Sequence, residues 1–122
     1  MVERKERPQS LEGCTTRVPT EHGTMYITVS WDPETGLPFE IFARLGKAGG
    51  CESAYLQGLG RVISVGLQCG ISPSEYVQTL RNISCHPYLV GGKGENTSPV
   101  DAVARILEES YEEKSAEEGE QK

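Results

Sequence analysis

Polar and apolar positions alternate in the first half of this chain and recur at helical spacing in the second. Met25 to Trp31 is the clearest strand, rich in β-branched and aromatic residues. Thr15 to Val18 is a shorter β-prone run ended by Pro19, and Glu21-His22-Gly23 reads as the turn between the two. After a second turn, Asp32 to Gly36, the chain returns with Phe39, Ile41 and Ala43 alternating against Glu40, Phe42 and Arg44. Connections this short favour antiparallel neighbours, so the pattern predicts a small antiparallel sheet.

From Cys51 to about Cys69 the period changes to that of a helix. Tyr55, Leu59 and Val62 share one face, with Leu56, Ile63 and Leu67 beside it. Gly58, Gly60 and Gly66 each lower helix propensity by about 1 kcal/mol relative to Ala. Their presence implies close approach of another backbone, within the domain or at a subunit contact. Gly70 is a natural stop. Ser72-Pro73-Ser74-Glu75 supplies an N-cap, a proline in the first turn and a capping-box glutamate, and Tyr76, Val77 and Leu80 form the apolar face that follows. Ser98 caps a third helix whose stripe is Ala102, Val103, Ile106 and Leu107. The expected architecture is therefore α+β: a small antiparallel β-sheet followed by three helices in a single domain, with one face used for self-association.

Composition refines the boundaries. Residues 1–10 are charged and poor in apolar side chains, which reads as a flexible N-terminal arm. Glu108 to Lys122 carries seven glutamates against two lysines, a net −5 within a chain total of −6. The acidity is thus a property of residues 108–122, read as a solvated, disordered tail, and the foldable part is 11–107. A body of nearly neutral charge argues against a nucleic-acid surface. Cys14, Cys51, Cys69 and Cys85 form no CxxC pair and no zinc-ribbon spacing. No signal peptide and no apolar run of membrane-spanning length is evident. The chain reads as cytoplasmic with reduced thiols, away from membranes.

The stretch with most chemical content is Arg44 to Cys51, where a strand leads through glycines into a helix. Backbone N–H groups of Gly46, Ala48, Gly49 and Gly50, the uncancelled donors of the helix start and the charge of Lys47 suit a phosphate or another anion. The competing reading is that Gly49-Gly50 only makes a tight turn. Arg44 could add charge-assisted bonds. Arg61 lies ten residues past Cys51, nearly three turns along, and would serve a neighbouring subunit or a long ligand. A second glycine–lysine cluster around Lys93 also feeds a helix start. Tyr26, Trp31, Phe42 and Tyr88 are the aromatics available to stack a base, though most are expected in the core or an interface. Cys85-His86 raises zinc or nucleophilic chemistry, but adjacent residues seldom ligate one metal and no third group orients the pair. Cys51, at a helix N-terminus, is the other thiol suited to reactivity.

A run of segments has a familiar order: Arg7-Pro8, Leu11-Glu12-Gly13, Thr15 to Val18, Met25 to Thr28, Pro38 to Phe42, Gly46 to Gly50, Leu59 to Ser64 and Asp101 to Ala104. Over residues 7–107 it resembles the TSCPD domain, found near the C-terminus of adenosylcobalamin-dependent ribonucleotide reductases and as free-standing small proteins. In Thr97-Ser98-Pro99-Val100-Asp101 the Thr, Ser and Asp of the naming segment are kept, but no cysteine follows Ser98. The cysteine-rich ribbon that often follows the domain is replaced by the acidic tail.

A reductase needs a barrel with a radical-forming cysteine, a cobalamin site and a reducing cysteine pair, which 122 residues cannot hold. The resemblance implies an accessory or regulatory nucleotide- or phosphate-binding module in deoxyribonucleotide supply, partnered by a reductase large subunit. Such a module would bind no cofactor itself and would meet adenosylcobalamin only through that partner. Two alternatives stand beside it. One is a homo-oligomer that sequesters a nucleotide-like ligand without a reductase. The other is an enzyme using thiol chemistry at Cys51 or Cys85.

Overall fold

The computed structural model describes residues 3–20, 22–46, 50–85 and 98–120, with the side chains of the last helix described through Tyr111. The elements follow in the expected order: β1 (Gly13–Thr20), β2 (Gly23–Trp31), β3 (Pro38–Leu45), α1 (Cys51–Gln68), α2 (Pro73–Leu80) and α3 (Pro99–Glu120). The strands form one antiparallel sheet in the order β1-β2-β3. The expected α+β architecture, a sheet followed by three helices, is what the chain adopts.

The period-2 pattern decides which face of the sheet is covered. Met25, Ile27 and Val29 of β2 and Phe39, Ile41, Ala43 and Leu45 of β3 are buried. All but Phe39 join Leu56, Ile63 and Leu67 of α1, Val77 of α2, and Ala102, Val103, Ile106 and Leu107 of α3 in one core cluster. The opposite face of the sheet is open, with Phe42 half exposed at 51%.

The α1 stripe differs from expectation. Leu56, Gly60, Ile63, Ser64 and Leu67 face the sheet, whereas Tyr55 and Val62 stand out in solvent at 75% and 65% exposure. The cause is the way α1 lies along β3. A Cβ placed on Gly60 would sit 3.0 Å from the Ile41 carbonyl oxygen, so the helix comes close enough there that any added side chain presses on the strand backbone. The Ser64 hydroxyl accepts the Ile41 N–H at 3.0 Å and donates to the Ile41 carbonyl at 3.1 Å, and Gln68 donates to the Phe39 carbonyl at 3.3 Å. An edge strand is thereby closed by helix side chains. Close backbone approach thus holds at Gly60. A Cβ on Gly58 would meet open space, and one on Gly66 would overlap the Tyr76 side chain of α2.

The helix starts read from sequence are the ones used. Ser72 accepts the Ser74 N–H at 3.3 Å at the head of α2, and Ser98 accepts the Asp101 N–H at 3.0 Å at the head of α3. Arg4, Lys5 and Arg7 of the N-terminal segment reach the body. The Lys5 N–H donates to the Gln68 carbonyl, Arg4 to the Gln68 side chain, and Arg7 pairs with Glu40 at 3.0 Å. The Lys5 ammonium holds Asp32 at 2.7 Å and Glu34 at 2.8 Å. Burial alone would push the Asp32 carboxyl up. The Lys5 bond, the Glu34 N–H and the Thr35 hydroxyl outweigh it and hold the pKa below the ordinary 3.8. A carboxyl whose folded pKa is depressed contributes stability above its unfolded pKa and loses it as pH falls through the folded one. This contact therefore weakens below about pH 4.

Candidate functional site

One end of the molecule gathers the β1–β2 turn, the exit of β3, the first turn of α1, the irregular segment ending at Cys85 and the head of α3. Local chemistry shapes the first of these. Gly23 sits at φ 108°, the Thr20 hydroxyl accepts the His22 N–H at 3.1 Å, and it donates to the Gly23 carbonyl at 2.6 Å. This tight turn presents His22 outward. The Gly46 N–H donates to the Thr24 carbonyl at 2.8 Å, tying the exit of β3 to the same turn.

Gly50 is the N-cap of α1, at φ 90°, with no side chain capping the first turn. An N-cap residue with a side chain would be strained there, so the glycine is required by the backbone. The 18 residues of α1 stack their dipoles behind this end. Both Gly46 and Gly50 are exposed. Arg44 stacks its guanidinium over the Tyr26 ring, 4.5 Å from the centroid. The register sets Arg17 directly opposite Tyr26 on its other side. An Arg17–Tyr26–Arg44 row therefore crosses the open face of the sheet and ends at the turn.

Of the residues proposed from sequence, the structure brings Arg44, Gly46 and Gly50 to this end. Arg61 is exposed on α1, about 15 Å along the axis from Cys51. Lys47, Ala48, Gly49 and Lys93 lie outside the described residues, as do His86 and Tyr88.

A second group was not foreseen. His22 Nδ1 lies 3.0 Å from a Glu52 carboxylate oxygen in the first turn of α1, and His22 Nε2 lies 3.4 Å from Cys85 Sγ. Sequence reading paired Cys85 with its neighbour His86. The partner seen here is 63 residues away, and only the β1–β2 turn chemistry hinted at where it would project. The two ring nitrogens face opposite ways, so the three groups cannot close on one ion. Among the described residues, no set of three His, Cys, Asp or Glu side chains is placed to hold a metal.

Among the described residues, cavities flank the core at either end of α1. One of about 220 Å³ adjoins His22 and Cys85 and is walled mainly by Tyr55, Leu56, Ile83, Pro99 and Val100. The other, about 310 Å³, lies by the C-terminal end of α1, where its charged groups, Lys5 and Asp32, are paired with each other.

The TSCPD domain family model matches residues 2–111, and the chain belongs to that family. Its curated relatives include vitamin B12-dependent ribonucleotide reductases of Streptantibioticus cattleyicolor, Streptomyces clavuligerus and Streptomyces avermitilis. Each is 30% identical over 84 residues, or 69% of this chain. That alignment covers 14% of the first relative and 9% of the other two, so the chain corresponds to a small part of their length. No solved structure gives a significant match. No helix among the described residues is long and apolar enough to cross a membrane.

Proposed function

We propose that this chain is an accessory or regulatory module that works beside a ribonucleotide reductase in deoxyribonucleotide supply, in the cytoplasm, and binds a nucleotide through its phosphate. The observation that carries this reading is the family match: residues 2–111 fit the TSCPD domain, and 84 residues align at 30% identity with vitamin B12-dependent ribonucleotide reductases.

The phosphate is assigned to the turn from Gly46 to Gly50, with Lys47 as the fixed charge and the amides of Ala48 and Gly49 as donors. Support comes from the exposed Gly50 cap without a competing side chain, the long dipole of α1 and the Arg44–Tyr26 stack beside it. The row of Arg17, Tyr26 and Arg44 offers a face for a base or ribose. Arg61 and Lys93 are assigned to the rest of a longer ligand or to a second subunit. Adenosylcobalamin stays with the reductase partner.

Titration of the isolated protein with ribo- and deoxyribonucleotides tests this directly. Lys47→Ala is expected to weaken nucleotide binding about tenfold or more, the worth of one charge-assisted bond, with an unchanged melting temperature. Equal affinities in wild type and variant would remove Lys47 from the site. Co-purification with a cobalamin-dependent reductase would support the accessory role.

A second reading, a homo-oligomer that sequesters its ligand, is favoured by the outer face of α1. Tyr55, Val62 and Val65 are exposed there at 75%, 65% and 40%, on either side of the open Gly58. Sedimentation of a dimer that Val62→Asp converts to monomer is the result expected of it. A wild-type monomer at micromolar concentration would discard it.

A further inference from the structure

We propose that Cys85, His22 and Glu52 form a nucleophilic thiol site whose substrate is an activated ester or thioester of a small apolar acid. The proposal stands apart from nucleotide binding and rests on geometry alone. An ionised Glu52 can only accept hydrogen bonds, so the 3.0 Å contact places the imidazole proton on Nδ1. That leaves the lone pair of Nε2 directed at Cys85 Sγ, 3.4 Å away. Nucleophile, base and orienting carboxylate are thus in sequence, the arrangement that activates thiols in acyl transfer. Cys85 is exposed and accessible to a substrate.

The cavity beside it indicates which substrate. Its volume of about 220 Å³ and its walls of Tyr55, Leu56, Ile83 and Val100 suit an apolar group somewhat larger than benzene, which an apolar cavity of about 150 Å³ accepts. A charged or strongly hydrated acyl group would be stripped of water there without compensation.

The chemistry balances without a redox partner. The Cys85 sulfur attacks the carbonyl carbon as its proton passes to His22 Nε2. The bond from carbon to the leaving alkoxide or thiolate breaks, and His22 returns the proton to that group. A water molecule then attacks the acyl-Cys85 thioester, giving one proton to His22, and the acid departs as the Cys85 thiol is restored. Cys85 and His22 touch the reacting atoms. Glu52 is a positioning residue.

The test uses the full chain with p-nitrophenyl butyrate and p-nitrophenyl acetate, following p-nitrophenol release and mapping the acyl adduct by mass spectrometry. Cys14 and Cys51 are exposed thiols in the same molecule and serve as internal controls. A butyryl adduct confined to Cys85 is expected, formed about tenfold faster than the acetyl adduct. His22→Ala is expected to slow acylation of Cys85 about a hundredfold while leaving labelling of Cys14 and Cys51 unchanged. Glu52→Gln, which keeps an acceptor for Nδ1 but loses the charge, is expected to lower the rate constant about tenfold at an unchanged half-saturating ester concentration. All three positions lie at the surface, and an unchanged circular dichroism spectrum confirms folding. Comparable labelling of Cys14, Cys51 and Cys85, or a His22→Ala rate equal to wild type, would overturn the site. Equal rates for butyrate and acetate would overturn the assignment of the cavity.

Discussion

Replacing Asp101 by alanine is expected to destabilise the protein by about 3 kcal/mol, lowering the melting temperature by roughly 12 °C or more for a domain of this size. Asp101 is fully buried. Its carboxylate accepts Arg105 Nε at 2.7 Å and the Asn82 N–H at 2.7 Å. It also stands in the first turn of α3, where a negative charge is favoured by the helix dipole. The Asn82 amide belongs to a residue at φ 66°, in the turn that leaves α2, so one carboxylate links that turn to the head of α3. Removing it takes the partner from the part-buried Asn82 N–H and frees a backbone geometry that few residues choose unaided. Asp101→Asn retains an acceptor of the same shape and is expected to fall between wild type and alanine. Urea unfolding measures all three. A loss below about 1 kcal/mol for the alanine variant would show that water replaces the carboxylate.

This placement bears on the family. Of the naming segment, this chain keeps Thr97, Ser98 and Asp101. Ser98 caps α3 and Asp101 ties that cap to α2, so both described members of the segment have structural work. The absent cysteine does not disturb it. Binding or chemistry in this protein is better sought around the head of α1, where exposed glycines, Arg44 and the His22 group converge.

The strands were legible because a two-sided sheet with one covered face favours alternation, which β2 shows from Met25 to Val29 and β3 from Ile41 to Leu45. The caps were legible because serine, proline and acidic residues at a helix start answer to local geometry alone. The phase of α1 was less so. Its apolar residues span a wide arc, and nothing local says that Gly60 and Ser64 face inward while Tyr55 and Val62 face out. That choice is made by the edge of β3, which needs hydrogen-bond partners for Ile41 and Phe39. The partner of Cys85 was hidden for a similar reason. Sequence proximity pointed to His86, whereas contact across the fold brings in His22. The N-terminal segment looked like a charged arm, yet in the structure its charges meet Gln68, Asp32 and Glu40 on three different parts of the body.

The second large effect is expected at Gly60. A Gly60→Val substitution should cost at least about 3 kcal/mol, the upper range for overpacking a filled interior. The first added carbon would already lie 3.0 Å from the Ile41 carbonyl oxygen and 3.6 Å from the Phe42 Cα, both backbone atoms of a strand held by its neighbour. Neither can swing aside as a flexible side chain would. The two further methyl groups must then push α1 outward. Ser64 sits one helical turn further on, and its paired bonds to Ile41 would lengthen together, reopening the β3 edge. Glycine itself costs helix propensity, so Gly60→Ala gains about 1 kcal/mol from the helix and loses part of it to the same contact. A near-neutral alanine beside a strongly destabilised valine is therefore the expected signature, read from urea unfolding of both. Two equal, small losses would mean that α1 can ride further from the sheet than its hydrogen bonds to Ile41 and Phe39 suggest.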